Sequence, residues 1–362
     1  MLRRALAFWP WVAFAAFAAV PFLPGKAVAI YVEQFTPIFI YAILALGLNV
    51  VVGQVGLFHL GIAAFFGIGA YTAGILIVMQ FPFQQSFLVA VVAATLVSAA
   101  AGVITTAPIL RLRGDYLALV TMGFGLIAVY VFTNLENITN GTKGLNPISP
   151  DLLPGMEDPK LAKFRPNWGV SWRRYPHFYF LCLATLATVF TFLGVLERSR
   201  LGRAWVALRE DELAATCMGI NPARMKLIAI AVGAGIAGLA GAYYVVFANT
   251  TTEPRTFDFN LSMIMLCCII LGGLGSRTGV ILGVILLLGF DQVATPRLDN
   301  WIQKDEVQGQ FPAFMQGKSY LKMSMWKLGI FGLVLILMMR FRPAGLLPEA
   351  RHKHELEPAG KA

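Results

Sequence analysis

The chain has 362 residues, 57% hydrophobic and 13% charged, where a soluble domain carries about 25% charged residues. That composition excludes a water-soluble globular chain and indicates an integral membrane protein. The net charge of +10 does not signal nucleic-acid binding, because the basic residues are divided among loops between apolar runs, without an aromatic-interleaved basic face; cytoplasmic retention of basic loops and contact with anionic lipid explain the excess.

Arg3 and Arg4 precede an apolar run from about Ala5 to Leu23. It reads as an uncleaved first span or as a signal peptide with a small-x-small site at Ala27-Val28-Ala29, and an uncleaved span is the simpler choice in a chain with many more to follow. The second run, Ile30 to Val52, passes through Gly53-Gln54-Val55-Gly56 into a third, Leu57 to Met79. Gly61, Gly67, Gly69 and Gly74 suit the third run to close helix packing, since lipid supplies no hydrophobic drive between helices. A fourth span, roughly Phe87 to Leu110, ends at Arg111 and Arg113, which mark a cytoplasmic loop. The fifth, Leu117 to about Thr133, leads into a polar segment, 134–176, too short and proline-rich to bury its own core and expected outside the membrane.

The sixth span, Phe178 to Leu196, precedes a charged loop, Glu197 to Lys226, with six basic and four acidic residues. Leu201, Ala204, Trp205, Leu208, Ala215 and Met218 recur at helical spacing, predicting one short amphipathic helix from Leu201 to Met218, with Gly219 as a left-handed cap and Pro222 preventing continuation. On periodicity alone this is equally an interfacial anchor. Span seven, Leu227 to Phe247, contains AVGAGIAGLAGA and must pack along a small face. The eighth run is Phe259 to Leu274. The ninth, Gly279 to Ala294, covers only about 24 Å of a core about 30 Å thick, so it is a thinned span or half of a broken hairpin. A second polar stretch, 296–327, leads to the last span, Leu328 to Met339, and a basic tail.

About ten spans counted from a cytoplasmic N-terminus place Arg111, Arg113, the loop 197–226, Arg277 and the tail on the inside. The expected architecture is all-α and polytopic: one transmembrane domain over 1–350, external loops at 134–176 and 296–327, a cytoplasmic loop at 197–226, and a cytoplasmic tail at 351–362.

Some literal motifs carry no chemistry. Gly233-x-Gly235-x-x-Gly238 spells a dinucleotide fingerprint inside an apolar helix, without the strand it needs, and PAFMQGKS at 312–319 lacks the first glycine of a phosphate loop. His352 and His354 lack a zinc-protease pattern, the four cysteines sit without disulfide spacing, and no metal site or cofactor is expected on this chain. Asn49, His59, Tyr71 and Thr121 are polar positions in or beside apolar runs; they either line a translocation path or hydrogen-bond to neighbouring helices. An ion-coupled carrier would place carboxylates at mid-membrane, where only Asp291 is a candidate, and an intramembrane hydrolase would have only His59 as an intramembrane histidine base.

Glu212-x-Ala214-Ala215-x-x-x-Gly219 resembles the coupling motif of bacterial ATP-binding-cassette importer permeases. GRAWVALREDELAATCMGI with AGLAGAYY is similar to branched-chain amino acid permeases of the LivM type. So, in the same order, are LGLNVVVGQVGL, AAFFGIGAYTAG, LRLRGDYLALVTMGFG, TNGTKGL, ILGGLGSRTGVILG and FRPAGLLP, which together extend over most of the chain. The resemblance implies a bacterial inner-membrane permease that imports branched-chain or related amino acids; permeases for urea, amides or sugars share the class. It further implies a second homologous permease of the LivH type, two cytoplasmic ATPase subunits that hydrolyse the ATP, a periplasmic binding protein, and a coupling helix in the loop 197–226. On that helix Ala214, Ala215 and Gly219 would form a compact face entering a groove on the ATPase, while Arg203, Glu210 and Glu212 would set its orientation.

Overall fold

The computed structural model describes residues 13–22, 28–78, 80–83, 85–109, 115–145, 176–248, 250–251, 253–302, 323–342 and 345–347. The start of the expected first span, Arg111 and Arg113, most of the polar segments 134–176 and 296–327, the motif at 312–319 and the tail lie outside these residues. Among the described residues the secondary structure is helical, with no strand. Among the described residues, seven helical segments are long and apolar enough to cross a membrane: Val32–Gln54, Phe87–Thr106, Tyr116–Asn134, Phe178–Arg198, Pro222–Ala248, Pro254–Gly272 and Arg277–Asp299. Ile62–Ile77 and Gly329–Met338 are shorter apolar helices.

The main helices are α1 (Val28–Asn49), α2 (Ile62–Ile77), α3 (Phe87–Thr106), α4 (Asp115–Asn134), α5 (Pro176–Arg198), α6 (Arg200–Glu210), α7 (Glu212–Cys217), α8 (Pro222–Ala248), α9 (Phe259–Gly272), α10 (Arg277–Gly289), α11 (Thr295–Ile302) and α12 (Met323–Phe341). The contacts divide the chain into two compact units, Met1–Leu266 and Cys267–Ala362, with the boundary inside α9.

In the first unit α8 is the central helix, packed on α1, α2 and α3. Its glycines account for this. A methyl group added at Gly233 would stand 2.8 Å from the Gly47 carbonyl of α1, one at Gly238 would overlap Ser98 of α3, and one at Gly241 would overlap the Phe66 carbonyl of α2. Backbones that approach so closely gain dispersion contacts, the main attraction available between helices in lipid. The apparent dinucleotide fingerprint is thus a packing face in mid-helix.

The outward sides of α3 and α4 carry Leu96, Ile104, Leu119, Ile127 and Tyr130, all exposed. Exposed apolar side chains along a helix are a liability in water and are what a lipid-facing helix requires.

In the second unit α9 and α10 form a tight antiparallel hairpin. Gly272 and Gly279 meet backbone to backbone, and Gly283 lies against the Cys268 carbonyl. Ser276 caps α10 by accepting from the Gly279 amide at 3.2 Å. The ninth span is not short: α10 runs through a π-helical turn, Phe290–Ala294, into α11. The apolar run ends at Ala294 and so looked too short to span, but the helix continues past it, through Pro296 in the first turn of α11. After α12, the amides of Leu346 and Leu347 donate to the carbonyls of Leu271 and Gly272 at 3.0 and 2.9 Å, fastening 345–347 to the hairpin turn.

Candidate functional site

The loop between α5 and α8 is built from the capping chemistry of its sequence. Ser199 opens α6 by accepting from the Leu201 and Gly202 amides at 3.2 and 3.4 Å. Gly202 then allows α6 to fold back against the Glu197 backbone, where any side chain would collide with the carbonyl. One side of α6 is buried: Trp205 is 0% exposed and Leu208 is buried beside it. The indole Nε1 donates to the Met225 carbonyl of α8 at 3.0 Å, so the one polar atom of this buried ring is satisfied.

The single helix expected over Leu201 to Met218 is two helices. Asp211 has an extended backbone, φ −155° and ψ 109°, and its carboxylate accepts from the Leu213 and Ala214 amides at 2.8 and 3.0 Å. An aspartate that caps the helix following it ends the helix preceding it. Gly219 closes α7 at φ +83°, as expected, with the Ile220 amide donating to the Ala215 carbonyl at 3.1 Å. Pro222 does not merely stop a helix; it opens α8, whose Arg224 amide donates to Asn221 Oδ1 at 3.1 Å.

The break re-aims the predicted residues. Ala215 is 4% exposed and faces the protein body, whereas Ala214 and Gly219 are exposed, so the three do not form one small-residue face. Met218 is 84% exposed and does not share the buried side of Trp205 and Leu208. Leu213, 77% exposed, joins Met218, Ala214 and Cys217 in an outward apolar surface of α7. Charges flank it. Glu210 and Arg203 are exposed, the latter donating through Nη1 to the Arg198 carbonyl at 2.8 Å, and Glu212 holds Lys226 through both carboxylate oxygens at 2.7 Å.

The inner side of α6 meets the end of α1. There α1 passes into a π-helical turn, Val50–Gln54, and then into seven non-helical residues, 55–61, before α2 begins. Arg209 Nη1 donates to the Gly53 carbonyl at 2.6 Å, and Gln54 Nε2 donates to Glu197 Oε1 at 2.7 Å. Spacing alone could not reveal these links, which join residues 156 and 143 positions apart.

The four polar positions near the spans are all buried. His59 and Thr121 are brought together by the segment 55–61: the Gly61 amide donates to His59 Nδ1 at 3.3 Å, and the Leu60 amide to Thr121 Oγ1 at 3.1 Å. Tyr71 stands apart, stacked on Phe132 with ring centroids 4.6 Å apart and edge-on to Phe257. Asn49 ends α1 at the start of the π turn and is fully buried. Asp291 lies in the other π turn, partly buried.

This arrangement offers an outward apolar and charged surface on α6–α7, with hydrogen bonds on its inner side to an interrupted membrane helix. It can accept a partner and hold a broken helix; no nucleophile and base stand together in it. A family profile described as "Branched-chain amino acid transport system / permease component" matches residues 30–339. The chain is 38% identical over 335 residues to the high-affinity branched-chain amino acid transport system permease protein LivM of Salmonella typhimurium, covering 90% of this chain and 72% of that one. It is 37% identical over 348 residues to the LivM protein of Escherichia coli, covering 94% and 74%. It is 24% identical over 258 residues to the permease protein LivH of Salmonella typhimurium, covering 68% and 79%. No solved structure matches.

Proposed function

The chain belongs to the family of permease components of branched-chain amino acid transport systems, and from that membership we propose that it moves branched-chain or closely related amino acids into the cytoplasm as a membrane subunit of an ATP-binding-cassette importer. The observation that carries the reading is the match across residues 30–339, which spans the membrane helices and the loop 197–226 alike. It is a transport subunit and not an enzyme, with ATP hydrolysis on separate subunits.

In this reading the chain sits in the bacterial inner membrane with about ten spans and pairs with a LivH-type second permease. Two cytoplasmic ATPases and a periplasmic binding protein complete the complex. The helices α6 and α7 act as the coupling element. Leu213, Ala214, Met218 and Gly219 enter an ATPase groove, and Arg203, Glu210 and Glu212 fix its orientation through charge. Ala215 supports the seat from beneath by packing on the protein body. Closure of the ATPases around ATP pushes this element and drives the rigid-body change that alternates access. His59, Thr121, Asn49 and Tyr71 are supports of the pathway wall: two of them order the break after α1, and Tyr71 packs in an aromatic cluster.

The test is to purify the five-part complex in lipid nanodiscs and measure ATP hydrolysis with the binding protein loaded with different ligands. Leucine, isoleucine or valine should stimulate hydrolysis. Stimulation by urea or a sugar instead of these would overturn the substrate assignment.

A further inference from the structure

We propose that Arg209, Glu197 and Gln54 are positioning residues for transport: together they latch α6 to the break between α1 and α2, so that displacement of the loop reaches the non-helical segment 55–61. The proposal rests on the importer reading above. The last carbonyls of a helix lack intrahelical donors, and where α1 ends the Arg209 guanidinium supplies one to Gly53 at 2.6 Å. One residue further, Gln54 is tied to Glu197 at the end of α5. Both bonds involve a charged group, which makes them stronger than neutral ones.

The backbone around the latch is shaped to it. Gly56 adopts φ +78°, and a methyl group added there would stand 3.1 Å from Arg209 Cγ, so glycine meets both the turn and the passage of the arginine stem. Beyond Gly56 the chain makes hydrogen bonds to other elements. Leu57 donates to the Val51 carbonyl at 3.1 Å, Leu60 to Thr121 of α4 at 3.1 Å, and Ala63 to Ser262 Oγ of α9 at 3.1 Å. The segment 55–61 is therefore preceded by two residues held by the loop, Gly53 and Gln54, and is held near its other end by α4, where α9 in turn anchors the first turn of α2. It contains no helix of its own to absorb a displacement, so α6 cannot shift without either breaking the latch or moving this segment.

The test uses the assembled importer in proteoliposomes, with ATP hydrolysis and uptake of radiolabelled leucine measured on the same preparation. Gln54→Glu places two carboxylates face to face, and Arg209→Met keeps the stem but removes the donor. Each should lower leucine taken up per ATP hydrolysed by at least about tenfold, the effect expected of one lost hydrogen bond to a charged group. Arg209→Lys and the exchange Gln54→Glu with Glu197→Gln, which restores an amide donor facing a carboxylate, should recover most of the ratio. Single variants that assemble and keep the parental ratio overturn the latch. Variants whose only defect is lower yield or assembly, with an unchanged ratio, also overturn it and leave a purely structural fastening. A parental complex that neither hydrolyses ATP in response to the loaded binding protein nor takes up leucine overturns the importer reading, and the latch with it.

Discussion

Both carboxylate oxygens of Glu212 accept from the Lys226 ammonium at 2.7 Å, tying the first residue of α7 to the first turns of α8. The glutamate is about half exposed, 49%, while the lysine side chain is 13% exposed. An ion pair with one partner in water contributes less than about 1 kcal/mol. Glu212→Gln should therefore leave the thermal midpoint of the detergent-purified permease nearly unchanged, a shift below about 3 °C. Ligand-stimulated ATP hydrolysis by the complex should nonetheless fall about fivefold or more, the scale of an interdomain coupling energy.

Asp211→Ala removes the cap on which the separation of α6 and α7 depends. The loss of an aspartate cap costs about 1 kcal/mol, and a helix as short as α7 has little else to hold it. Hydrogen exchange at the Leu213 and Ala214 amides, which donate to Asp211, should accelerate by about fivefold. Asp211→Asn, which retains an acceptor oxygen, should restore most of the protection.

The glycines predict opposite outcomes at two sites. Gly238→Ala would drive a methyl group into Ser98 and the Ala94 carbonyl where α8 crosses α3, so the protein should lose its monodisperse peak in fluorescence-detected size exclusion. At Gly123 of α4 nothing lies within 4 Å of an added methyl group. Gly123→Ala should be tolerated and raise stability by up to about 1 kcal/mol through helix propensity.

Trp205 separates polar from packing contributions in α6. Trp205→Phe removes the bond to Met225 and leaves that carbonyl without this donor, a loss of about 1 kcal/mol. Trp205→Ala empties a fully buried site and should cost about 3–5 kcal/mol. Urea or thermal unfolding followed by tryptophan-independent circular dichroism distinguishes the two.

Apolar run length and glycine spacing made much of the helical framework legible in the sequence. The charged loop stood out for the same reason, since its charges interrupt the apolar chain, and Gly219 read correctly as a left-handed cap. Its fine structure did not. Periodicity treated Leu201 to Met218 as continuous, yet the Asp211 side chain competes for the backbone and starts a second helix, which turns Met218 outward and Ala215 inward. A cap signal was present in Asp211 preceding Glu-Leu-Ala, but it lay within an otherwise helical pattern. Run length misled in the opposite direction at the ninth span, because the helix continues through a π turn beyond the apolar run that ends at Ala294. The Arg209–Gly53 and Gln54–Glu197 contacts left no local mark, being products of tertiary packing across about 150 residues.

Cys217 gives the most direct test of the account, because its exposed thiol lies on α7, the surface assigned to the ATPase. Intact and inverted membrane vesicles should be treated with a membrane-impermeant maleimide and the modified peptides mapped by mass spectrometry, with and without the ATPase subunits. Cys217 should be labelled from the cytoplasmic side in the permease pair alone and protected once the ATPases are bound. Labelling from the opposite side, or labelling that the bound ATPases leave unchanged, would contradict the account.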